Sequence, residues 1–112
     1  MAARTLVKVP ASARPGERIE LSALIAHPME TGFRVDAEGR KLPRNILRRF
    51  RCEWLVDGAA PQPLFEAELH PALSANPYIA FGMVARRSGT LRFSWEGDAG
   101  FSHSETAVLN VA

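Results

Sequence analysis

Apolar and polar residues alternate with period two along most of this chain. Ile19, Leu21, Ala23 and Ile25 are interleaved with Arg18, Glu20 and Ser22. Leu91, Phe93 and Trp95 are interleaved with Thr90, Arg92 and Ser94. That period marks strands with one buried face. Weaker versions predict an edge strand over 5–9, a short strand over 65–69 with Glu66 and Glu68 outward, and a last strand over 101–111. Ile46, Arg48, Phe50, Cys52, Trp54 and Val56 share one predicted inward face of a long strand. Ile79, Phe81 and Met83 alternate with Ala80, Gly82 and Val84, which predicts a strand covered on both faces. Turn signals separate these runs: Pro15-Gly16, Asp57-Gly58, Ser88-Gly89 and Gly97-Asp98. About seven strands at this spacing predict an all-β fold, a single immunoglobulin-like β-sandwich. No window of helical period competes.

Two stretches break the pattern. Residues 27–45 hold Pro28, Gly32, Gly39 and Pro43, with a small hairpin predicted around Ala37-Glu38-Gly39-Arg40. The second runs from His70-Pro71 to Asn76-Pro77-Tyr78. Long irregular segments in an otherwise economical domain are more often working surfaces than connectors. Rigid, proline-bounded loops bearing His, Met, Asn and Tyr suit an interface. The plainer reading is that Asn76 and His70 only satisfy local turn backbone.

The 112 residues make one domain, spanning 1–112. The net charge is only +2, too small to imply a polyanion partner for the whole chain. Its distribution is uneven. Residues 34–51 hold seven basic residues against Asp36 and Glu38, a net +5, and the rest of the chain carries −3. That window lacks the interleaved exposed aromatics of single-strand nucleic-acid binders, so no nucleic-acid partner is expected. It reads either as an edge guarded by charge or as a docking or anion-attracting face. No run approaches the roughly 20 apolar residues of a membrane helix, so no membrane partner is expected. Residues 1–10 lack the apolar core of a secretory leader, which taken alone predicts a cytoplasmic protein unless a partner carries the export signal.

Candidate chemistry is sparse. Cys52 is the single cysteine, so no internal disulfide forms. His27, His70 and His103 complete the soft ligands, and none pairs at a metal-binding spacing, so no metal or other cofactor is expected. Cys52, predicted inward beside Trp54, reads as a small hydrophobe and not as a nucleophile. The serines are scattered and none sits in a nucleophile elbow. Glu66 and Glu68 read as a solvated strand face.

Four motifs in order resemble the SoxZ family, the small subunit of the SoxYZ sulfur carrier of bacterial thiosulfate oxidation. They are Ile25-Ala26-His27-Pro28-Met29-Glu30-Thr31-Gly32; Pro43-Arg44-Asn45-Ile46 followed by Phe50; Leu69-His70-Pro71 with Ser74-Ala75-Asn76-Pro77-Tyr78; and Gly89-Thr90-Leu91 with Phe93-Ser94-Trp95. The resemblance implies an immunoglobulin-like sandwich that is not itself an enzyme. It implies a heterodimer with a SoxY-like subunit, whose glycine-flanked cysteine on a C-terminal arm holds the sulfur intermediate. It further implies periplasmic residence by co-export with that partner, and transient docking of other thiosulfate-oxidation enzymes. On this reading His27, Met29, Glu30, Thr31, Arg44, Asn45, His70, Asn76 and Tyr78 are expected on the surface facing the partner and its arm. Arg40, Lys41, Arg44 and Arg48 are expected to steer anions. Two other classes compete: a mononuclear metal redox protein on the same fold, and a free-standing binding module.

Overall fold

The computed structural model describes residues 4–70 and 73–112. Its strands are β1 (Thr5–Lys8), β2 (Ser12–Ala13), β3 (Arg18–Ile25), β4 (Leu47–Leu55), β5 (Gln62–Glu68), β6 (Tyr78–Val84), β7 (Gly89–Gly97) and β8 (Ser102–Val111). A 3-10 turn, Asp98–Gly100, separates the last two. The predicted hairpin stop at Gly97-Asp98 is therefore a tight turn between antiparallel neighbours.

Two sheets form. The smaller has the order β1-β3-β6 and the larger β2-β8-β7-β4-β5. All pairings are antiparallel except β2 with β8. The sandwich expected from the alternation is thus present, with the two-residue β2 as an addition too short to leave a periodic signal. Ile19, Leu21, Ala23 and Ile25 line the inner face of the small sheet, as their spacing predicts. Phe50, Cys52 and Trp54 of β4 and Leu91, Phe93 and Trp95 of β7 line the large one. Phe50 sits at the centre, its ring 5.4 Å from Trp95 and 6.3 Å from both Phe81 and Phe93. Phe81, from β6, stacks on Phe65, from β5, at 4.6 Å, so these rings tie the two sheets together.

Two sequence expectations are corrected. Arg48 does not share the inward face of β4. Leu47 pairs with Gly97 and Arg49 with Glu96, so Arg48 is the extra residue of a β-bulge. The bulge resets the alternation: Leu47 and Phe50 both point inward, and Arg48 is released to solvent. The second correction concerns β6, which is not covered on both faces. Tyr78, Ala80, Gly82 and Val84 lie exposed, and only Ile79, Phe81 and Met83 turn toward the core.

Candidate functional site

The two irregular stretches meet at one end of the sandwich. His27 N–H donates to Asn76 Oδ1 at 2.8 Å, and Asn76 N–H donates back to the His27 carbonyl at 2.7 Å. These reciprocal bonds clasp loops 49 residues apart in sequence. Asn76 thus satisfies the backbone of a distant loop and not only of its own turn. It adopts φ 52°, a left-handed conformation that Asn tolerates better than most residues.

Around this clasp the backbone is further strained. Met29 has φ 51° and Ala99 φ 58°, so the positive-φ non-glycine residues gather around His27. Met29 is held there by three sets of bonds. Its N–H donates to His27 Nδ1 at 3.0 Å, its Sδ accepts from Leu47 N–H at 3.2 Å, and the next residue, Glu30, exchanges 2.8 Å bonds with Asn45. A left-handed non-glycine residue costs about 1–2 kcal/mol and persists only where its surroundings over-determine it. Gly32 (φ 89°) finishes the turn, and a Cβ there would lie 3.1 Å from that of Arg44.

The side chains of His27 and Met29 are buried, at 5% and 4% exposure, so the expectation that they line the surface is corrected. Folding the loop back onto β4 draws both inward. His27 packs edge-on against Phe101, ring centres 5.4 Å apart. Burial lowers the His27 pKa below its usual value, and the nearby Asp98 carboxylate offsets part of that. Because Nδ1 accepts the Met29 N–H, the ring is neutral in this arrangement. Glu30 and Thr31 are half-buried and shape their own loop. Glu30 accepts two-pronged bonds from Arg34, and Thr31 Oγ1 accepts from Phe33 N–H.

Asp98 organises the same end and was not singled out by sequence reasoning. Its carboxylate accepts from Ile46 N–H at 3.2 Å and from the Arg44 guanidinium at 3.0 Å and 3.2 Å, with Arg48 3.8 Å away. Burial alone would raise its pKa, but the Ile46 N–H, Arg44 and Arg48 together outweigh it and hold the carboxyl below its usual value. In the sequence Asp98 marked only a turn, and nothing local announces a partner 54 residues away.

The basic window is dispersed by the fold. Arg44 and Arg48 face Asp98, Arg34 pairs with Glu30, and Arg49 and Arg51 share Glu66 on the outer face of the large sheet. Arg40 and Lys41 stand exposed on a projecting hairpin closed by the Val35–Lys41 bridge, and among the described residues they make no ion pair. The same hairpin exposes Phe33 (81%) and Val35 (60%). His70 is exposed beside Arg48 and Arg49 in an open polar cleft also lined by Glu68 and Glu96. Tyr78 begins β6 and is 62% exposed on the outer face of the small sheet.

Cys52 is fully buried, and burial, with a further contribution from Glu53, pushes its thiol up to about 12. Among the described residues no group of three or more His, Cys, Asp or Glu converges as a metal site. His27 Nδ1 accepts the Met29 N–H and is engaged within its own loop.

No curated protein matches the chain by sequence. Among solved structures it is similar to the superoxide reductase (neelaredoxin) from Ignicoccus hospitalis: TM-score 0.74, 15% identity, 100% of this chain and 81% of that one covered. It is also similar to the sulfur carrier protein SoxY from Chlorobium limicola f thiosulfatophilum: TM-score 0.66, 11% identity, 96% and 78% covered. At these identities the likeness concerns the fold alone. The family model of the sulphur oxidation protein SoxZ matches residues 7–108. With the four motifs in order on a sandwich of this kind, the chain belongs to the SoxZ family and is a sulfur-oxidation subunit of the SoxYZ type.

Proposed function

We propose that this chain is the non-catalytic subunit of a periplasmic, heterodimeric sulfur carrier in thiosulfate oxidation. Its partner is a SoxY-like subunit whose C-terminal cysteine arm carries the sulfur. One observation supports this division of labour most directly. Carrying a sulfur adduct requires an accessible thiolate. The single cysteine here is buried within the sheet, with a thiol that ionises only near 12. The reactive thiol must then sit on another chain.

The clasped loops give the partner's cysteine arm, and not the pairing contact itself, a rigid platform. His27, Met29 and Asn76 fix the loops from within, and Arg44, His70 and Tyr78 offer exposed groups above them. Arg40 and Lys41 on the projecting hairpin supply the uncompensated charge that would steer anionic groups and acidic enzyme surfaces. Localisation follows from the pairing, since a folded partner bearing an export signal would bring this chain with it.

The test is purification from the native periplasm without reducing agent, read by intact mass. The expected result is a second small chain with a glycine-flanked C-terminal cysteine and added sulfur mass. Recovery of this chain alone, or with sulfur mass on its own Cys52, overturns the proposal.

A further inference from the structure

Among the described strands, β6 is the long free edge without protection. Its sequence, Tyr-Ile-Ala-Phe-Gly-Met-Val, holds no charge and no proline, and its pairing with β3 runs without a register shift. Native proteins normally blunt such edges with charge, proline or a bulge, because unpaired backbone groups template another strand. The hydrogen-bonding phase of β6 is fixed at both ends. Ile25 N–H donates to the Pro77 carbonyl, and Ala85 N–H donates to the Glu17 carbonyl. Antiparallel alternation then turns residues 79, 81 and 83 toward β3 and leaves the N–H and C=O groups of Tyr78, Ala80, Gly82 and Val84 on the free edge. The two central residues of that set are small: Ala80 is open, and at Gly82 the Arg18 guanidinium lies over the outer face, 3.3 Å from where a Cβ would sit.

The surroundings fit an added strand. Across the seam from β6 lies β5, and Phe65, Ala67, Ile79, Phe81 and Met83 between them are only partly buried. A strand beside β6 would sit about 4.8 Å away and lay alternate side chains over these groups. Outside, Tyr78 continues an apolar row with Leu24 and Leu6, which pair across the small sheet. Arg86 and Arg87 follow the C-terminal end of β6, and Arg18 lies opposite Val84. All three are exposed and make no ion pair among the described residues.

We propose that the β6 edge is where the partner subunit pairs with this chain, by adding a strand to the β1-β3-β6 sheet. This rests on the heterodimer reading above. The occupant is a strand of the SoxY-like subunit with an uncharged apolar middle and an acidic residue at the end that meets Arg86 and Arg87. Such a strand is available, because a SoxY chain shares this sandwich architecture and so has sheet edges of its own. Backbone pairing supplies the contact, and the apolar seam and the arginine pair set register and direction.

The direct test is amide hydrogen exchange on the full chain, free and bound to its copurified partner. Residues 78, 80, 82 and 84 are expected to exchange quickly when free and at least about tenfold more slowly in the complex. A complex in which these amides stay fast overturns the edge assignment while leaving the heterodimer intact. Ala80→Pro removes one outward N–H and no ladder bond, which an edge strand tolerates. It is expected to weaken pairing about a hundredfold with the circular dichroism of the free chain unchanged, whereas Thr106→Lys on the large sheet's outer face leaves pairing intact. Ala80→Lys, which keeps the N–H and adds a charge, gives a second and independent block. Wild-type pairing retained in both Ala80 variants overturns the inference. Failure of the unmodified chain to pair with any SoxY-like subunit overturns the heterodimer reading as well. A dimer of this chain alone, lost in Ala80→Pro, overturns the choice of partner.

Discussion

β5 and β6 lie on the same open side of the sandwich and are built to opposite rules. β5 carries Pro63, a bulge at Leu64 where its register with β4 shifts, and Glu66 and Glu68 on its outer face. Glu66 is held by Arg49 and Arg51, which lower its pKa against a smaller opposing effect of burial. β6 has none of these devices. One edge is closed to strangers and the other is not, although the aromatic stack of Phe65 on Phe81 joins them. A protein that guards one edge this thoroughly, and leaves its neighbour bare, has a use for the bare one.

The core should register that asymmetry. Phe50 is fully buried among Phe65, Phe81, Phe93 and Trp95, whereas Phe81 is only partly covered at the open seam. Phe50→Ala is expected to cost about 3–5 kcal/mol in urea unfolding of the free chain. Phe81→Ala should cost about 2 kcal/mol, because less of its surface leaves water. Pairing along β6 would cover Phe81 further, so the second variant should lose more stability in the complex than alone. Equal losses of both variants in the free chain would erase the contrast between the closed and open sides.

At the loop end the same logic applies to a single residue. Asn76→Ala removes the acceptor for His27 N–H and puts a Cβ without a compensating side chain at φ 52°. A loss of about 2 kcal/mol is expected. Asn76→Gly loses the same bond and keeps the backbone, so it should cost about 1 kcal/mol less. If the two variants unfold together, the left-handed conformation carries no cost and the strain around His27 is not real.

What the sequence revealed divides along physical lines. Runs such as 19–25 and 91–95 were readable because one sheet face is buried and the other is wet, which writes a period of two into the side chains. Pro15-Gly16 was readable because the turn needs a positive φ, and Gly16 supplies it at 84°. Arg48 was misplaced because a one-residue bulge inverts the alternation without any marker of its own. His27 and Met29 looked like surface residues because polar, proline-rich segments usually are. Their burial depends on bonds to Asn76 and Leu47, far along the chain. The four motifs named the family, yet none of them said which of their residues face outward. The bare edge of β6 was equally hidden, since an uncharged alternating strand reads the same whether it lies inside a sheet or at its rim.

The smallest expected effect is a pH dependence, and it separates the loop end from the edge. Burial lowers the His27 pKa from its usual 6.5, against a smaller opposing pull from Asp98. Between the lowered value and 6.5 the unfolded chain binds a proton that the folded chain refuses. Stability is therefore complete above about pH 6.5 and declines as the pH falls toward the lowered folded value. Protonation would also remove the acceptor for Met29 N–H and loosen the strained turn. His27→Asn keeps a side-chain acceptor and removes the titration, so its stability should be flatter between about pH 5 and 7. Asp98 titrates in a separate window, because its carboxyl sits below 3.8 and loses its contribution only in stronger acid. The β6 strand carries no Asp, Glu, His, Lys, Arg or Cys, so pairing along it should not follow the His27 profile. If heterodimer affinity fell in step with stability as His27 protonated, and His27→Asn abolished that dependence, the loops would belong to the partner contact itself and the edge would not act alone.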